Sequence, residues 1–235
     1  MYLRRIKEYL RFLKSLFKTN VRLLWGMWKL TSVPHPSITI FGGARITNDS
    51  LHARMATQLA KMLASNGFSI LTGGGPGIME AANLGAIEYL HEYKLQNTVE
   101  VKKIVSAGIG VVRLNIGSNN PYVQKYIEMQ NFFSRKWLLV RYSIGFVIFP
   151  GGFGTLDELF EVVTLVQTNK MAKFPIILID KSYWQPLVEW IEKRALAYQL
   201  IEEEDRKLIQ IVDTPEEAFD IIFKQCKGCE HTIVS

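Results

Sequence analysis

From residue 37 onward, short runs rich in β-branched and aromatic residues alternate with longer runs of helical periodicity. Such alternation is typical of units in which a helix connects two parallel strands. Strands are predicted at residues 37–41, 68–71, 105–114, near 130, 144–149, 175–179 and 208–212. Helices are predicted at residues 51–65, 78–92, up to 142, 155–168, 184–197 and from 215 onward. The predicted fold class is therefore α/β, with one doubly wound parallel sheet and helices on both faces.

Composition restricts the class of protein further. In the 235-residue chain, 48% of residues are hydrophobic and 21% are charged, which excludes a disordered chain and allows a sizeable core. The two cysteines cannot build a disulfide framework, so a reducing, cytoplasmic environment is expected. No uninterrupted apolar run reaches the roughly 18 residues of a membrane-spanning helix, and none is predicted.

The positive charge is concentrated in an N-terminal extension. Residues 1–33 hold eight cationic side chains and one acid, whereas the rest of the chain is close to neutral. The net charge of +6 therefore does not indicate a nucleic-acid partner for the main body. The predicted organisation is an extension at residues 1–36, a nucleotide-binding catalytic domain at 37–227 and a tail at 228–235.

The extension is predicted to form a basic amphipathic helix. Its apolar side chains recur at steps of three and four residues, and they are Leu3, Ile6, Leu10, Leu13 and Phe17. Such a stripe commonly packs on a domain or a partner subunit. A basic helix of this kind can also lie on an anionic membrane surface, so peripheral membrane contact through residues 1–33 stays open as the alternative.

Two glycine-rich loops each follow a predicted strand and precede a predicted helix. The first is GGGPGIME at residues 73–80, and the second is PGGFGTLDE at residues 150–158. Glycine lets the backbone approach an anion, and the free N–H groups at a helix start point toward it. A phosphate or phosphoribosyl group is the expected ligand. Neither loop has the dinucleotide-binding spacing of glycines or the lysine of a nucleoside-triphosphate loop.

The second loop matches the pattern P-G-G-x-G-T-x-x-E. Together with GGGPGIMEAAN at 73–83, FFSRK at 132–136 and FEVVTLVQT at 160–168, it resembles the LONELY GUY (LOG) family of nucleoside 5′-monophosphate phosphoribohydrolases, in particular the larger bacterial branch. The resemblance spans residues 37–224. Members are often mislabelled lysine decarboxylases, but nothing in the sequence marks the Schiff-base lysine and acidic partner of a pyridoxal-phosphate enzyme.

The resemblance implies a Rossmann-like fold and an active form that is at least a homodimer. The implied reaction hydrolyses the N-glycosidic bond of a nucleoside monophosphate such as AMP, without a metal or cofactor. Arg135 and Glu158 fall on the catalytic positions of the family. The residues expected to hold the substrate and its phosphate are Gly74, Gly75, Lys136, Gly151, Gly152, Gly154 and Thr155. An inactive nucleotide-binding protein with the same cleft is the alternative function.

Each candidate also has a structural interpretation. Thr155 and Glu158 have the spacing of a helix capping box, in which the glutamate only satisfies a backbone N–H. Glu80 and Asp157 suit the first turns of their helices, where acids complement the helix dipole. Trp184, Trp190 and Tyr198 follow helical spacing and are predicted to be core residues.

Four features depart from the family pattern or stand outside it. The run 117–121 replaces the usual acidic-Leu-Pro stretch beside the base, and residues 93–103 resemble an insertion. The first strand ends in Gly42-Gly43-Ala44-Arg45, where relatives carry Gly-Ser. Cys226, Cys229 and His231 resemble half of a zinc site, although ordinary reduced thiols are the simpler interpretation because no second cysteine pair exists.

Overall fold

The computed structural model describes residues 2–96, 104–112 and 120–226. Seven helices and seven strands alternate along this part of the chain. They are α1 (Tyr2–Leu30), β1 (Ser37–Phe41), α2 (Leu51–Ser65), β2 (Ser69–Thr72), α3 (Ile78–Gln96), β3 (Ser106–Val111), β4 (Lys125–Met129), α4 (Phe132–Arg141), β5 (Phe146–Ile148), α5 (Phe153–Gln167), β6 (Ile176–Ile179), α6 (Lys181–Trp190), β7 (Ile209–Val212) and α7 (Pro215–Cys226). A π-helical segment (Ile191–Leu196) follows α6, and a 3₁₀ turn (Asp205–Leu208) precedes β7.

The strands form one parallel sheet in the order β4-β3-β2-β1-β5-β6-β7. The chain builds one half outward from β1 to β4 and then returns to place β5 on the other side of β1. Thr39 lies opposite Phe146 in that central pair, and Ile40 opposite Val147. This confirms the predicted α/β doubly wound sheet, and it puts the reversal of strand order between β1 and β5.

Alternate side chains of the sheet point into two separate core layers. In β1, Ile38 and Ile40 pack under α2, α3 and α7, whereas Phe41 faces the layer formed with α4 and α5. Both layers are apolar because successive strand residues point to opposite faces and each face is covered by helices.

Several boundaries differ from the predictions. The predictions at 37–41 and 51–65 match β1 and α2. The strand predicted near 130 is in fact β4, which ends at Met129, because Asn131 caps α4 by accepting the Ser134 N–H at 3.1 Å. Of the three aromatic residues predicted to be core, Trp184 is buried, whereas Trp190 and Tyr198 are 58% and 67% exposed.

Helix α1 is divided between a packed and an unpacked part. Near its C-terminal end, Gly26 lies against Met129 and Leu138, and Leu30 is fully buried. Arg22 donates to the backbone and side-chain oxygens of Glu128, each at 2.8 Å. The C-terminal end of α1 is therefore packed on the domain.

The rest of α1 exposes its apolar stripe. Four of the five predicted stripe side chains are exposed, and the fifth, Leu3, has a side chain outside the described part of the structure. The four are Ile6, Leu10, Leu13 and Phe17, at 38%, 58%, 40% and 72%. Within the described residues, no helix is both long and apolar enough to cross a membrane.

Candidate functional site

The ends of β1 and β5 meet at the reversal of strand order. The Gly43 N–H, just after β1, donates to the Pro150 carbonyl after β5 at 2.9 Å. The Ile78 N–H at the start of α3 donates back to the Gly43 carbonyl at 3.3 Å. Both glycine loops are thereby joined at the carboxyl edge of the sheet, where open α/β sheets bind their ligands.

The second loop forms the N-terminus of α5. Gly152 occupies the cap position in an extended conformation (φ −92°), and no side chain caps the helix. The first N–H groups of a helix have no acceptor within it. A Cβ built at Gly152 or Gly154 would meet no atom within 4 Å, whereas one at Gly151 would collide with the Thr155 hydroxyl. Open space beside this turn and free donors at the helix start suit an anion such as a phosphate.

The first loop needs glycine for conformation and for close approach. Gly74 and Gly77 have φ of +70° and +68°, which other residues rarely adopt. Gly73 leaves room for the guanidinium of Arg135, because a Cβ there would collide with Nη2. The loop therefore also supports the arginine predicted to be catalytic.

A buried amide holds the first loop in place, and sequence reasoning did not identify it. Asn83, fully buried on α3, accepts the Thr72 hydroxyl at 2.7 Å, and the same Thr72 oxygen accepts the Gly74 N–H at 3.0 Å. Asn120 donates to Asn83 at 3.0 Å and to the Gly75 carbonyl at 3.2 Å. The one available signal was a lone asparagine in the otherwise apolar face of α3.

Asn120 and Pro121 are the described residues of the divergent run 117–121, and residues 117–119 lie outside the described part of the chain. Of the insertion predicted at 93–103, residues 93–96 belong to α3 and 97–103 lie outside it.

Arg135 and Glu158 form an ion pair at this site. Nη2 of Arg135 lies 3.2 Å from Oε1 of Glu158, and both side chains are 10% exposed. Nε of Arg135 donates to the Ile109 carbonyl of β3 at 2.9 Å. Helices α4 and α5 thus bring the two predicted catalytic residues together beside Gly73.

Burial changes the acidity of the glutamate. Loss of hydration raises the pKa of Glu158 from 4.5 to about 7, although the neighbouring Arg135 guanidinium lowers it. A carboxyl group with a pKa near neutrality can accept and return a proton at physiological pH.

The capping-box interpretation of Thr155 and Glu158 is wrong. The cap residue of α5 is Gly152, so Thr155 lies inside the first turn and Glu158 lies one turn further along the helix. Both side chains are buried. Glu158 therefore has no capping role, and its partner is Arg135.

Lys136, Asp157 and Glu161 form a second ion-pair group. Lys136 Nζ lies 3.0 Å from Asp157 Oδ2 and 2.8 Å from Glu161 Oε2. Burial lowers the pKa of Lys136, but hydrogen bonds to Glu161 and Asp157 outweigh it and raise the pKa. Glu80, in the first turn of α3, accepts from Asn48 at 3.2 Å. These acids contact side chains of the protein itself.

Among the described residues, no group of three or more His, Cys, Asp or Glu side chains is placed to hold a metal ion. Cys226 is buried and donates to the Ile144 carbonyl at 3.3 Å. Cys229 and His231, the other members of the possible half-site, lie outside the described residues, as does the tail.

Solved structures share this fold. The molybdenum cofactor carrier protein from Chlamydomonas reinhardtii superposes with a TM-score of 0.58 at 19% identity, over 83% of this chain and 99% of that one. The molybdenum cofactor binding protein from Rippkaea orientalis superposes with a TM-score of 0.54 at 23% identity, over the same shares. Likeness at these identities establishes the fold alone.

Sequence comparisons identify the family. A probable cytokinin riboside 5′-monophosphate phosphoribohydrolase, LOGL3 of Oryza sativa, is 26% identical over 77% of this chain and 80% of that protein. The pyrimidine/purine nucleotide 5′-monophosphate nucleosidase of Escherichia coli K12 is 31% identical over 66% of this chain, which spans only 34% of that longer protein. The model of a family described as "Possible lysine decarboxylase" matches residues 79–222. This match covers more than half of the chain, which therefore belongs to that family, the one that includes the LOG proteins its sequence resembles.

Proposed function

We propose that this protein hydrolyses the N-glycosidic bond of nucleoside 5′-monophosphates and releases a free base and ribose 5-phosphate. The observation that carries the proposal is the buried pair of Arg135 on α4 and Glu158 on α5, because α5 is the helix whose N-terminus is the open glycine loop. The names of the rice and E. coli relatives support the same substrate class.

Substrate binding starts at the phosphate. The backbone N–H groups at Gly152 and Gly154 and the start of α5 hold the 5′-phosphate, with Thr155 and Gly151 shaping the turn. This binding energy comes from a part of the substrate remote from the bond that breaks. It places the anomeric carbon of the ribose beside Glu158.

Bond cleavage then develops positive charge on the ribose. The C1′–N bond breaks and its electron pair leaves with the base, while a water oxygen bonds to C1′. The Glu158 carboxylate stabilises the cation and takes a proton from that water, and a proton returns to the departing base nitrogen. Arg135 orients the carboxylate, and its remaining N–H groups are donors for the substrate. These steps use side chains, backbone groups and water.

Product analysis tests this function. The protein is incubated separately with AMP, GMP, CMP and UMP, and ribose 5-phosphate and free base are quantified. We expect equal amounts of both products from at least one nucleotide. Tight binding of a nucleotide without product from any of the four would instead support the nucleotide-binding alternative.

We also propose that the chain acts as a cytoplasmic homodimer, with the face of α4 and α5 as its interface. Phe132 and Phe133 at the start of α4 are 49% and 64% exposed, and a groove of about 310 Å³ beside Phe133 is lined by Trp137, Leu165 and Met171. Large exposed apolar patches mark interaction sites. Light scattering would give twice the monomer mass for the wild type and a lower mass for Phe133→Ser.

The exposed part of α1 supports peripheral contact with an anionic membrane. Its apolar stripe is exposed, and a second exposed stripe carries the cations Arg4, Lys7, Arg11, Lys14 and Lys18. Adjacent apolar and cationic stripes suit a helix lying in the headgroup region, where each cation adds about 1 kcal/mol of attraction to anionic lipid.

Vesicle co-sedimentation tests the membrane contact. Removing residues 1–36 would uncover the core, because Leu30 and Val33 are buried in it, so substitutions in the exposed stripe are the better probe. We expect the wild type to sediment with phosphatidylserine-containing vesicles and the Leu13→Ser/Phe17→Ser variant to stay in solution. Equal sedimentation of both proteins would contradict the proposal, as would none for the wild type.

A further inference from the structure

A tyrosine outside the family motifs contacts the phosphate loop. The hydroxyl of Tyr183, near the start of α6, donates to the Gly151 carbonyl at 2.6 Å. Tyr183 is 45% exposed, so its ring is not a core element. The sequence pattern gave it no role, since the helix was predicted to begin at residue 184.

The geometry of the peptide bond gives this contact its significance. A trans peptide unit is planar, and its C=O and N–H groups point in opposite directions. A hydrogen bond that fixes the Gly151 carbonyl therefore fixes the direction of the Gly152 N–H. A Gly–Gly peptide is the least restricted unit a loop can contain, and an external hydrogen bond selects one orientation for it.

The backbone of Tyr183 is itself held by the N-terminal cap of α6. Its N–H donates at 3.1 Å to the side chain of Asp180, the cap residue of that helix. Asp180 is bound in turn by Nε2 of His52 at 2.9 Å. The Tyr183 ring packs edge-on against Trp184, which is buried, with 4.9 Å between centroids. The backbone and ring of Tyr183 are thus positioned by α6, by the adjacent Trp184 and, through Asp180, by His52 of α2, independently of the loop that the hydroxyl contacts.

We infer that Tyr183 is a positioning residue for the 5′-phosphate: its hydroxyl holds the Gly151–Gly152 peptide so that the Gly152 N–H faces the anion. The inference rests on the proposed function, because it concerns the same loop. Because this peptide is already ordered, it loses no conformational freedom when the phosphate binds. This preorganisation strengthens binding.

The Tyr183→Phe variant removes only the hydroxyl. One hydrogen bond contributes about 0.5–1.5 kcal/mol, so KM for the nucleotide should rise about 2- to 12-fold, with a smaller change in kcat. Tyr198→Phe is the matched control, because Tyr198 is 67% exposed and lies after α6; its kinetics should equal those of the wild type.

Calorimetric binding separates positioning from general structural damage. Tyr183→Phe should weaken binding of ribose 5-phosphate by the same factor, about 2- to 12-fold, and leave binding of adenosine, which lacks the phosphate, unchanged. Equal affinity of variant and wild type for ribose 5-phosphate would overturn the inference, and so would a parallel loss of adenosine binding.

The same measurements distinguish this inference from the proposed function. A wild type that binds ribose 5-phosphate and is weakened by Tyr183→Phe, yet hydrolyses no nucleotide, would uphold the inference and refute hydrolysis. If the wild type hydrolyses nucleotides and Tyr183→Phe has an unchanged KM, hydrolysis would be upheld and the inference refuted. Failure of the wild type to bind ribose 5-phosphate would overturn both.

Discussion

The guanidinium of Arg135 binds the carboxylate of Glu158 at 3.2 Å, with both side chains nine-tenths buried. Arg135 also lies against Gly73 of the first glycine loop, and Glu158 belongs to the helix that begins at the second. The ion pair therefore connects the two loops, which are 77 positions apart in sequence when counted from Gly73 to Pro150. In the proposed mechanism, the Glu158 carboxylate of this pair faces the ribosyl cation and Arg135 orients that carboxylate.

Replacing Glu158 with glutamine should abolish turnover and keep the fold. Glutamine has nearly the same volume and can still accept from Arg135, but it cannot carry the charge or the proton, so kcat should fall by about 10²- to 10⁴-fold. Steady-state kinetics with AMP measure the loss. Glu189→Gln on α6, whose exposed partner is Lys193, is the control and should retain full activity. Near-normal turnover by Glu158→Gln would remove the acid from the mechanism.

The rate should depend on pH through Glu158. Because the pKa of this carboxyl is raised to about 7, the ionised form that the mechanism needs increases as pH rises through that value. A profile of kcat/KM against pH should climb on its acid side with a midpoint near 7 and level off above it. A profile that is flat from pH 5 to 8 would show that another group, or none, controls the reaction.

Glu158 should also make the stability of the fold depend on pH. Its contribution to the free energy of unfolding should fall as pH rises, whereas the rate increases. Its folded-state pKa of about 7 exceeds its ordinary value of 4.5, so the folded protein holds the proton more tightly. The resulting stabilisation is present below pH 4.5 and is lost as pH rises through 7.

Comparison with Glu158→Gln isolates this contribution, because the other titrating groups are common to both proteins. Between pH 4.5 and 8, the free energy of unfolding of the wild type should fall relative to that of the variant by about 3 kcal/mol. Denaturant unfolding at the two pH values measures it. A constant difference between the two proteins would mean that the pKa of Glu158 is not raised.

A methyl group at Gly152 should affect binding and leave folding intact. The position has open space and a φ of −92° that alanine adopts readily, so the melting temperature of Gly152→Ala should stay within a few degrees of the wild type. The methyl group would occupy the space assigned to the phosphate and raise KM for AMP about tenfold or more. If KM did not change, the phosphate would have to bind elsewhere.

Sequence patterns predicted the sheet and the loops because these depend on local periodicity and glycine content. Helix α2 begins and ends with its run of regularly spaced apolar residues. Both glycine loops lie at the carboxyl edge of the sheet, as expected. The division of α1 into a packed part and an exposed part could not be predicted from local patterns. Its stripe looks uniform along the chain, and only the three-dimensional position of β4 decides that Gly26 is packed while Phe17 is exposed.

Contacts between distant segments were the other part that patterns could not provide. Asn83, Ser106 and Asn120 meet beneath the first loop through three different elements of the chain. Tyr183 reaches Gly151 from a helix 32 positions away. Nothing in the spacing of these residues signals a partner, so their roles became visible only with the fold.

Lys136 does not have the environment of a Schiff-base lysine, although the family is described as "Possible lysine decarboxylase". A lysine that forms a Schiff base needs a lowered pKa, whereas two carboxylates raise the pKa of Lys136. Lys136 is therefore a charge partner of α5, where it pairs with Asp157 and Glu161.

The most direct test is a crystal structure of the Glu158→Gln variant with AMP bound. We expect the phosphate to lie within hydrogen-bond distance of the Gly152 N–H and the start of α5, and C1′ of the ribose to lie beside the glutamine side chain that replaces Glu158. A phosphate bound away from residues 151–155, or a ribose turned so that C1′ is remote from residue 158, would contradict the account.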